Sequence, residues 1–213
     1  MSVSRAISLL CLVAVLLAPA AMAAAFRTVV IDPGHGGHDS GGRWGKVYEK
    51  HIALDTALRL EKHLRKMGYR TVMTRRDDRF LTLPQRVEFA NRHREAIFVS
   101  VHYNYTWKQQ VQGVETFYFN QDGWNLANHV QRSMIQRTRS EDRQARFARY
   151  YVIRNCKLPS ILVEGGFVSN EEERKLMKSG GFREAIARGI AEGIDRYRKA
   201  EETTKGRPTG VRG

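Results

Sequence analysis

Residues 28–50, TVVIDPGHGGHDSGGRWGKVYEK, decide most of the fold reading. Thr28 to Ile31 form a β-branched apolar run, the composition of a buried strand. The run stops at Asp32-Pro33-Gly34, and His35 follows at once in a glycine-rich turn. Glu49 then opens a strongly periodic segment in which Ile52, Leu54, Ala57, Leu58, Leu60, Leu64 and Met67 make a broad apolar helix face. A histidine at a strand's end and a carboxylate at a helix start can meet on one metal.

Working outward, the same pattern recurs. AIFVSVH, residues 96–102, is an apolar strand ending on His102, and its alternation places Phe98, Ser100 and His102 on one face. SILVEGG, residues 160–166, carries Glu164 directly after Ile161-Leu162-Val163. An acid at the edge of a buried strand needs a partner or a chemical role. Between these runs lie a strand at Tyr69–Thr74 after the helix-stopping Gly68, a helix over 83–93 and a strand at Gly113–Phe119. A helix over 124–138 and a charged connector at Thr138–Arg146 follow, then strands at 150–154 and 160–164. A helix begins near Asn170, and a last one spans 182–199. The expected fold class is α/β: a mixed, largely parallel twisted sheet with helices on both faces, and the functional residues on one strand-end rim.

At 213 residues the chain has room for one domain with a real core. Residues 1–23 combine Arg5, an apolar centre from Ile7 to Leu17 and the small-residue end Ala21-Met22-Ala23, which reads as a cleavable secretory signal. The apolar run is short for a bilayer crossing, so no transmembrane anchor is expected after cleavage, and the protein is expected to be exported to the periplasm or the extracellular wall space. The catalytic domain is then 26–200, and residues 201–213 read as a disordered tail. Cys11 falls within the signal and Cys156 stands alone after it, so no internal disulfide is available. The net charge of +14 points to an anionic neighbour such as an envelope polymer or surface. The basic residues are not interleaved with aromatics, and no nucleic-acid-binding signature is present, which argues against nucleic acid as the partner.

Taken singly, each polar residue has an ordinary explanation: a strand-exit turn for His35, a first-turn acid for Glu49, a structural histidine for His102. Together they are more specific. Two imidazoles and one carboxylate form a zinc set with an open position for water, leaving Glu164 free to move a proton. His38 and His51 compete less well, because His38 lies farther out in the loop and His51 faces away from Glu49 around the helix.

The blocks VVIDPGHGGHDSGG, YEKHIALDTALRLEKHLRKMGYRTVMTR, LTLPQRVEFAN, AIFVSVHYN, GVETFYF and LPSILVEGGFVSNEEERKL, in this order, resemble the zinc-dependent N-acetylmuramoyl-L-alanine amidases that cleave septal peptidoglycan. The likeness runs from Thr28 to Tyr197. It implies Zn2+ held by His35, Glu49 and His102, a catalytic Glu164, and peptidoglycan as substrate. The bond cut is the amide between the lactyl group of N-acetylmuramic acid and L-alanine. Two positions depart from the family pattern: Tyr103 stands where a small residue is usual, and Gly165 where Leu or Thr is common. Septal members carry a long inserted helix that blocks the zinc until a partner removes it. Here only Gly123–Arg149 joins the corresponding strands, which implies a monomer needing no activator protein. A zinc exopeptidase or deacylase of similar architecture is the alternative enzyme. A non-catalytic wall-binding protein is disfavoured because all four chemical positions are filled.

Overall fold

The computed structural model describes residues 26–205, so the expected signal at 1–23 lies outside the described residues. In chain order the elements are β1 (Thr28–Pro33), β2 (Arg43–Trp44), β3 (Val47–Tyr48), α1 (Glu49–Lys66), β4 (Arg70–Met73), α2 (Leu83–Asn91), β5 (Ala96–Asn104) and β6 (Val114–Tyr118). They continue with α3 (Gln121–Thr138), β7 (Asp142–Phe147), α4 (Tyr151–Asn155), β8 (Ser160–Phe167), α5 (Glu171–Lys178) and α6 (Gly180–Lys205).

The six-stranded sheet has the order β4-β1-β5-β8-β6-β7. The pairs β1·β4, β1·β5 and β5·β8 are parallel, β6·β8 is antiparallel, and β6·β7 is again parallel. This is the mixed, largely parallel arrangement read from the alternating strands and helices. Period-two alternation sorts the apolar side chains onto two faces. Val29, Ile31, Ile97, Val99, Ile161 and Val163 join the larger core under α1, α3 and α6. Val30, Phe98 and Leu162 face the smaller core, where Val87 of α2 and Val152 and Ile153 of α4 cover them. Asp32, Ser100, His102 and Glu164 share the parity of that smaller-core set. They therefore continue its stripe toward the carboxyl ends of the strands, the end at which an open sheet binds ligands.

Three expectations are corrected. Residues 151–155 are the short helix α4, not a strand. Their apolar pair, Val152 and Ile153, packs on α2 and the smaller core, and a five-residue stretch cannot show its period. The charged connector after Thr138 contains the strand β7, paired to β6 through the crossover helix α3. Its charged side chains mark a sheet edge, which hides a strand from an apolar-pattern search. Helix α6 runs to Lys205, so the first residues of the expected tail are helical; those from Gly206 lie outside the described residues. The helix start read at Asn170 holds, since Asn170 caps α5 by accepting from the Glu173 N–H at 3.0 Å, whereas α3 begins three residues before the expected 124, where Asn120 accepts from the Gly123 N–H at 2.9 Å. Among the described residues no helix is long and apolar enough to cross a membrane.

Candidate active site

The loop from Gly34 to Gly42 returns over the ends of β1 and β5 and delivers His35 to the first turn of α1. His35 Nε2 stands 3.0 Å from Glu49 Oε1 and 3.1 Å from His102 Nδ1, and His102 Nδ1 is 2.9 Å from Glu49 Oε1. Three ligand atoms of metal-binding type thus form one small triangle. Ligands at about 2.0–2.1 Å around a tetrahedral zinc lie roughly 3.3 Å apart, within a few tenths of what this triangle offers. The residue types and the spacing fit a zinc ion.

Two of the three donors, His35 and Glu49, are held from behind. His35 Nδ1 pairs with Asp39 Oδ2 at 2.8 Å, which leaves Nε2 facing the triangle. The second oxygen of Glu49 accepts from the Gly42 N–H at 2.7 Å, while Oε1 also accepts from the Tyr103 N–H at 3.0 Å. Burial opposes ionisation of Glu49, but bonds to His102 and His35 outweigh it and hold the carboxyl well below the usual range. For His35, burial works against protonation, yet Glu49 and Asp39 raise its pKa overall. His35 itself has a left-handed backbone, φ 58°, a conformation a non-glycine residue keeps only when its surroundings impose it. Gly34 before it cannot carry a side chain, because a Cβ there would lie 2.3 Å from Cε1 of His102.

Two buried arginines impose that conformation. Arg86 donates through Nη1 to Asp32 Oδ1 at 2.8 Å and to the Pro33 carbonyl at 2.7 Å, and through Nη2 to the His35 carbonyl at 2.7 Å. Arg75 donates to the carbonyls of Pro33 at 3.0 Å and Gly34 at 2.6 Å, and also to that of Lys50 at 3.0 Å. Burial and the neighbouring Arg86 charge push the Arg75 guanidinium down to about 10. Asp32 is also bonded by Thr74 Oγ1 at 2.6 Å and Ser100 Oγ at 2.8 Å. Sequence reasoning missed Asp32, Asp39, Arg75 and Arg86. The one available signal was an acid and a proline, three and two residues before the histidine.

Glu164 occupies the other side of the cleft. It is in register with His102 of β5 on one flank and with Glu115 of β6 on the other. Its Oε2 is buried and has no hydrogen-bond partner among the described residues. Burial above all, with Glu49 and Glu115 nearby, pushes its pKa well above the ordinary value. Glu115 is engaged separately: Asn104 Nδ2 donates to it at 2.8 Å, and Arg143 and Arg146 pair with it, both at 3.2 Å. A carboxyl left free of partners can still accept or release a proton in the cleft. The β5·β8 register shifts between His102 and Asn104, a bulge at the point where the strand turns its side chains into the site.

His35, Glu49, His102 and Glu164 all line one cavity of about 490 Å³, whose far wall is formed by Phe80, Leu83, Tyr150 and Tyr151. The competing histidines fall outside the triangle: His38 stacks on Phe80 and His51 sits 3.5 Å from Asp78. The two departures noted in the sequence prove to be one feature. Tyr103 is fully buried with its hydroxyl 2.7 Å from Thr56 Oγ1, and a Cβ at Gly165 would lie 2.7 Å from its ring. The large residue on β5 requires the missing side chain on β8.

Known proteins resemble this chain over most of its length. The germination-specific N-acetylmuramoyl-L-alanine amidase of Bacillus subtilis is 30% identical over 80% of this chain and 79% of its own length. The amidase AmiC2 of Nostoc punctiforme superposes with a TM-score of 0.78 at 37% identity, covering 82% of this chain and 98% of that one. The CwlD amidase of Clostridioides difficile, solved in complex with the GerS lipoprotein, gives 0.78 at 30% identity over 82% and 99%. The family model described as N-acetylmuramoyl-L-alanine amidase matches residues 29–196, nearly the whole described domain, and the chain belongs to that family of enzymes.

Proposed function

We propose that the protein is an exported, zinc-dependent amidase that cuts the bond between the lactyl group of N-acetylmuramic acid and L-alanine in peptidoglycan. The observation that carries this is the joint placement of the His35–Glu49–His102 triangle and the partnerless Glu164 in one cleft. A zinc ion held by the three donors would polarise the amide carbonyl and bring the pKa of a water down to about 7. Asp39 keeps His35 in the tautomer that presents Nε2, and the backbone N–H groups of Gly42 and Tyr103 keep the Glu49 carboxylate oriented. Glu164 takes the proton of the attacking water and returns it to the nitrogen of L-alanine as the C–N bond breaks. The products are a lactyl carboxylate and a peptide with a free amino terminus.

The test is digestion of purified sacculi followed by mass spectrometry. Peptide-free glycan and stem peptides beginning at a free L-alanine are the expected products, abolished by a chelator and by His102→Ala with loss of metal. Fragments cut within the peptide, or full zinc content in His102→Ala, would overturn the reading. The same digestion tests partner dependence. The short connection through α3 and β7 supports action as a monomer without an activator, although the related CwlD was solved with a lipoprotein partner. Purified protein that stays inert until a second envelope protein is added would refute that part. The net charge of +14 supports attachment to an anionic envelope surface. Binding to sacculi should then fade as salt rises, since the Debye length falls to about 3 Å at 1 M.

A further inference from the structure

A second cavity of about 600 Å³ lies beside the cleft, behind the β2–β3 hairpin. The first turn of α1 is the wall between the two: Glu49 lines the cleft, while His51 and Ile52 line the second cavity. Its floor is apolar, built from Ile52, Val47 and the fully buried Met177. Its rim is cationic, with Lys46, Arg174, Lys178 and Arg183, and no carboxylate belongs to its lining.

Those cations differ in how they are engaged. Arg183 is committed to Asp55, and Arg174 donates to the carbonyls of Val168 at 2.9 Å and Ser169 at 3.2 Å while its guanidinium lies 4.9 Å over the Trp44 ring. These bonds hold Arg174 in place, and among the described residues its charge makes no ion pair. Lys46 and Lys178 are exposed and make no ion pair among the described residues. An apolar floor with a cationic rim, three of whose four charges make no ion pair among the described residues, suits a ligand with short alkyl stems and several acid groups. A polyphosphate chain has the acids but nothing for the floor. A peptide bearing side-chain and terminal carboxylates has both.

We infer that this cavity is the subsite for the carboxylate-bearing stem peptide of the substrate. The inference rests on the amidase reading and extends it. The scissile amide then sits at the triangle, and the peptide leaves the cleft over Tyr48 and the hairpin. Lys46 and Lys178 meet its carboxylates as mobile point charges, and Arg174 presents a face already oriented by Trp44.

Binding can be measured apart from turnover, using full-length Glu164→Gln protein and the indole N–H signal of Trp44. The probe is L-alanyl-γ-D-glutamyl-L-lysine, compared with the same peptide amidated at both carboxylates. Trp44 should shift with the acidic peptide, and amidation or the Lys46→Gln/Lys178→Gln pair should weaken binding about five- to thirty-fold. These lysines lie outside the catalytic groups and on the surface, so the fold is retained. In the active enzyme the same pair should raise KM on peptidoglycan by a similar factor with kcat nearly unchanged. Absent binding, binding indifferent to amidation, or a Trp44 shift with poly(glycerol phosphate) and none with the peptide would overturn the assignment. Failure of sacculus digestion with intact peptide binding would strike the amidase reading instead.

Discussion

The two sides of the cleft are built on opposite plans. On the His35 side the supporting polar groups are bonded: Asp32 to Arg86, Thr74 and Ser100, the loop carbonyls to Arg75 and Arg86, His35 to Asp39. On the Glu164 side a buried carboxylate oxygen has no partner, and its neighbour Glu115 is bonded away from it. The difference matches the roles proposed for the two sides. Metal ligands must be preorganised, because a metal tolerates little positional error, whereas a proton carrier reacts through a lone pair that no other group is holding. Saturated bonding gives geometry, and withheld bonding keeps reactivity.

The contrast can be broken first at its reactive side. Glu164→Gln keeps the shape and removes the base, so turnover should fall by about 10²–10⁴-fold with zinc content unchanged, checked by metal analysis beside the sacculus assay. Near-normal turnover would show that Glu164 is not the proton carrier. Next in size is Arg86→Leu, which strands the Asp32 carboxylate in the interior. Removing one partner of a buried ion pair costs about 3–5 kcal/mol, and denaturant unfolding of the metal-free protein should show it. A loss below about 1 kcal/mol would mean that Thr74 and Ser100 suffice for Asp32. Asp39→Asn is milder: the loop stays, but His35 loses the carboxylate that orients it. Zinc affinity should drop about 10–100-fold in a chelator competition, and an unchanged affinity would remove Asp39 from the site.

The smallest expected effect concerns pH and sharpens the comparison. With its pKa raised in the metal-free fold, Glu164 favours folding while protonated. That contribution is fully present below the ordinary glutamate value and is lost as pH rises through the folded value. Metal-free wild type should therefore lose ground to metal-free Glu164→Gln on going from about pH 4 to about pH 8, read as the difference in Tm. A constant difference would mean that Glu164 is solvated in the free protein.

Much of the fold and of the candidate site is legible in the sequence, for physical reasons that differ by residue. Buried parallel strands must be apolar on both faces, so TVVI, AIFVSV and SILV announce themselves, and a polar residue ending such a run stands out at once. That is why His35, His102 and Glu164 can be named from the chain alone, with Glu49 marked by the helix it opens. Strand β7 cannot be found this way, because an edge strand that carries Asp142, Arg143 and Arg146 has no apolar pattern. Helix α4 reads as a strand because two β-branched residues in five look like one until α2 is seen beneath them.

The arginines mark the boundary most clearly. Arg75 and Arg86 are two among 36 basic residues, and in the sequence they look like solvated surface charges. Only the folded chain brings three carbonyls and a carboxylate to the same buried spot, where a guanidinium fork is the group that can satisfy them all. The pairing of Tyr103 with Gly165 is of the same kind, since neither residue predicts the other until two strands lie side by side. Local patterning determined which elements form and which polar residues end them. Tertiary packing decided which charges are buried and which are left free, because burial and hydrogen-bond completion belong to neighbours far apart in the chain.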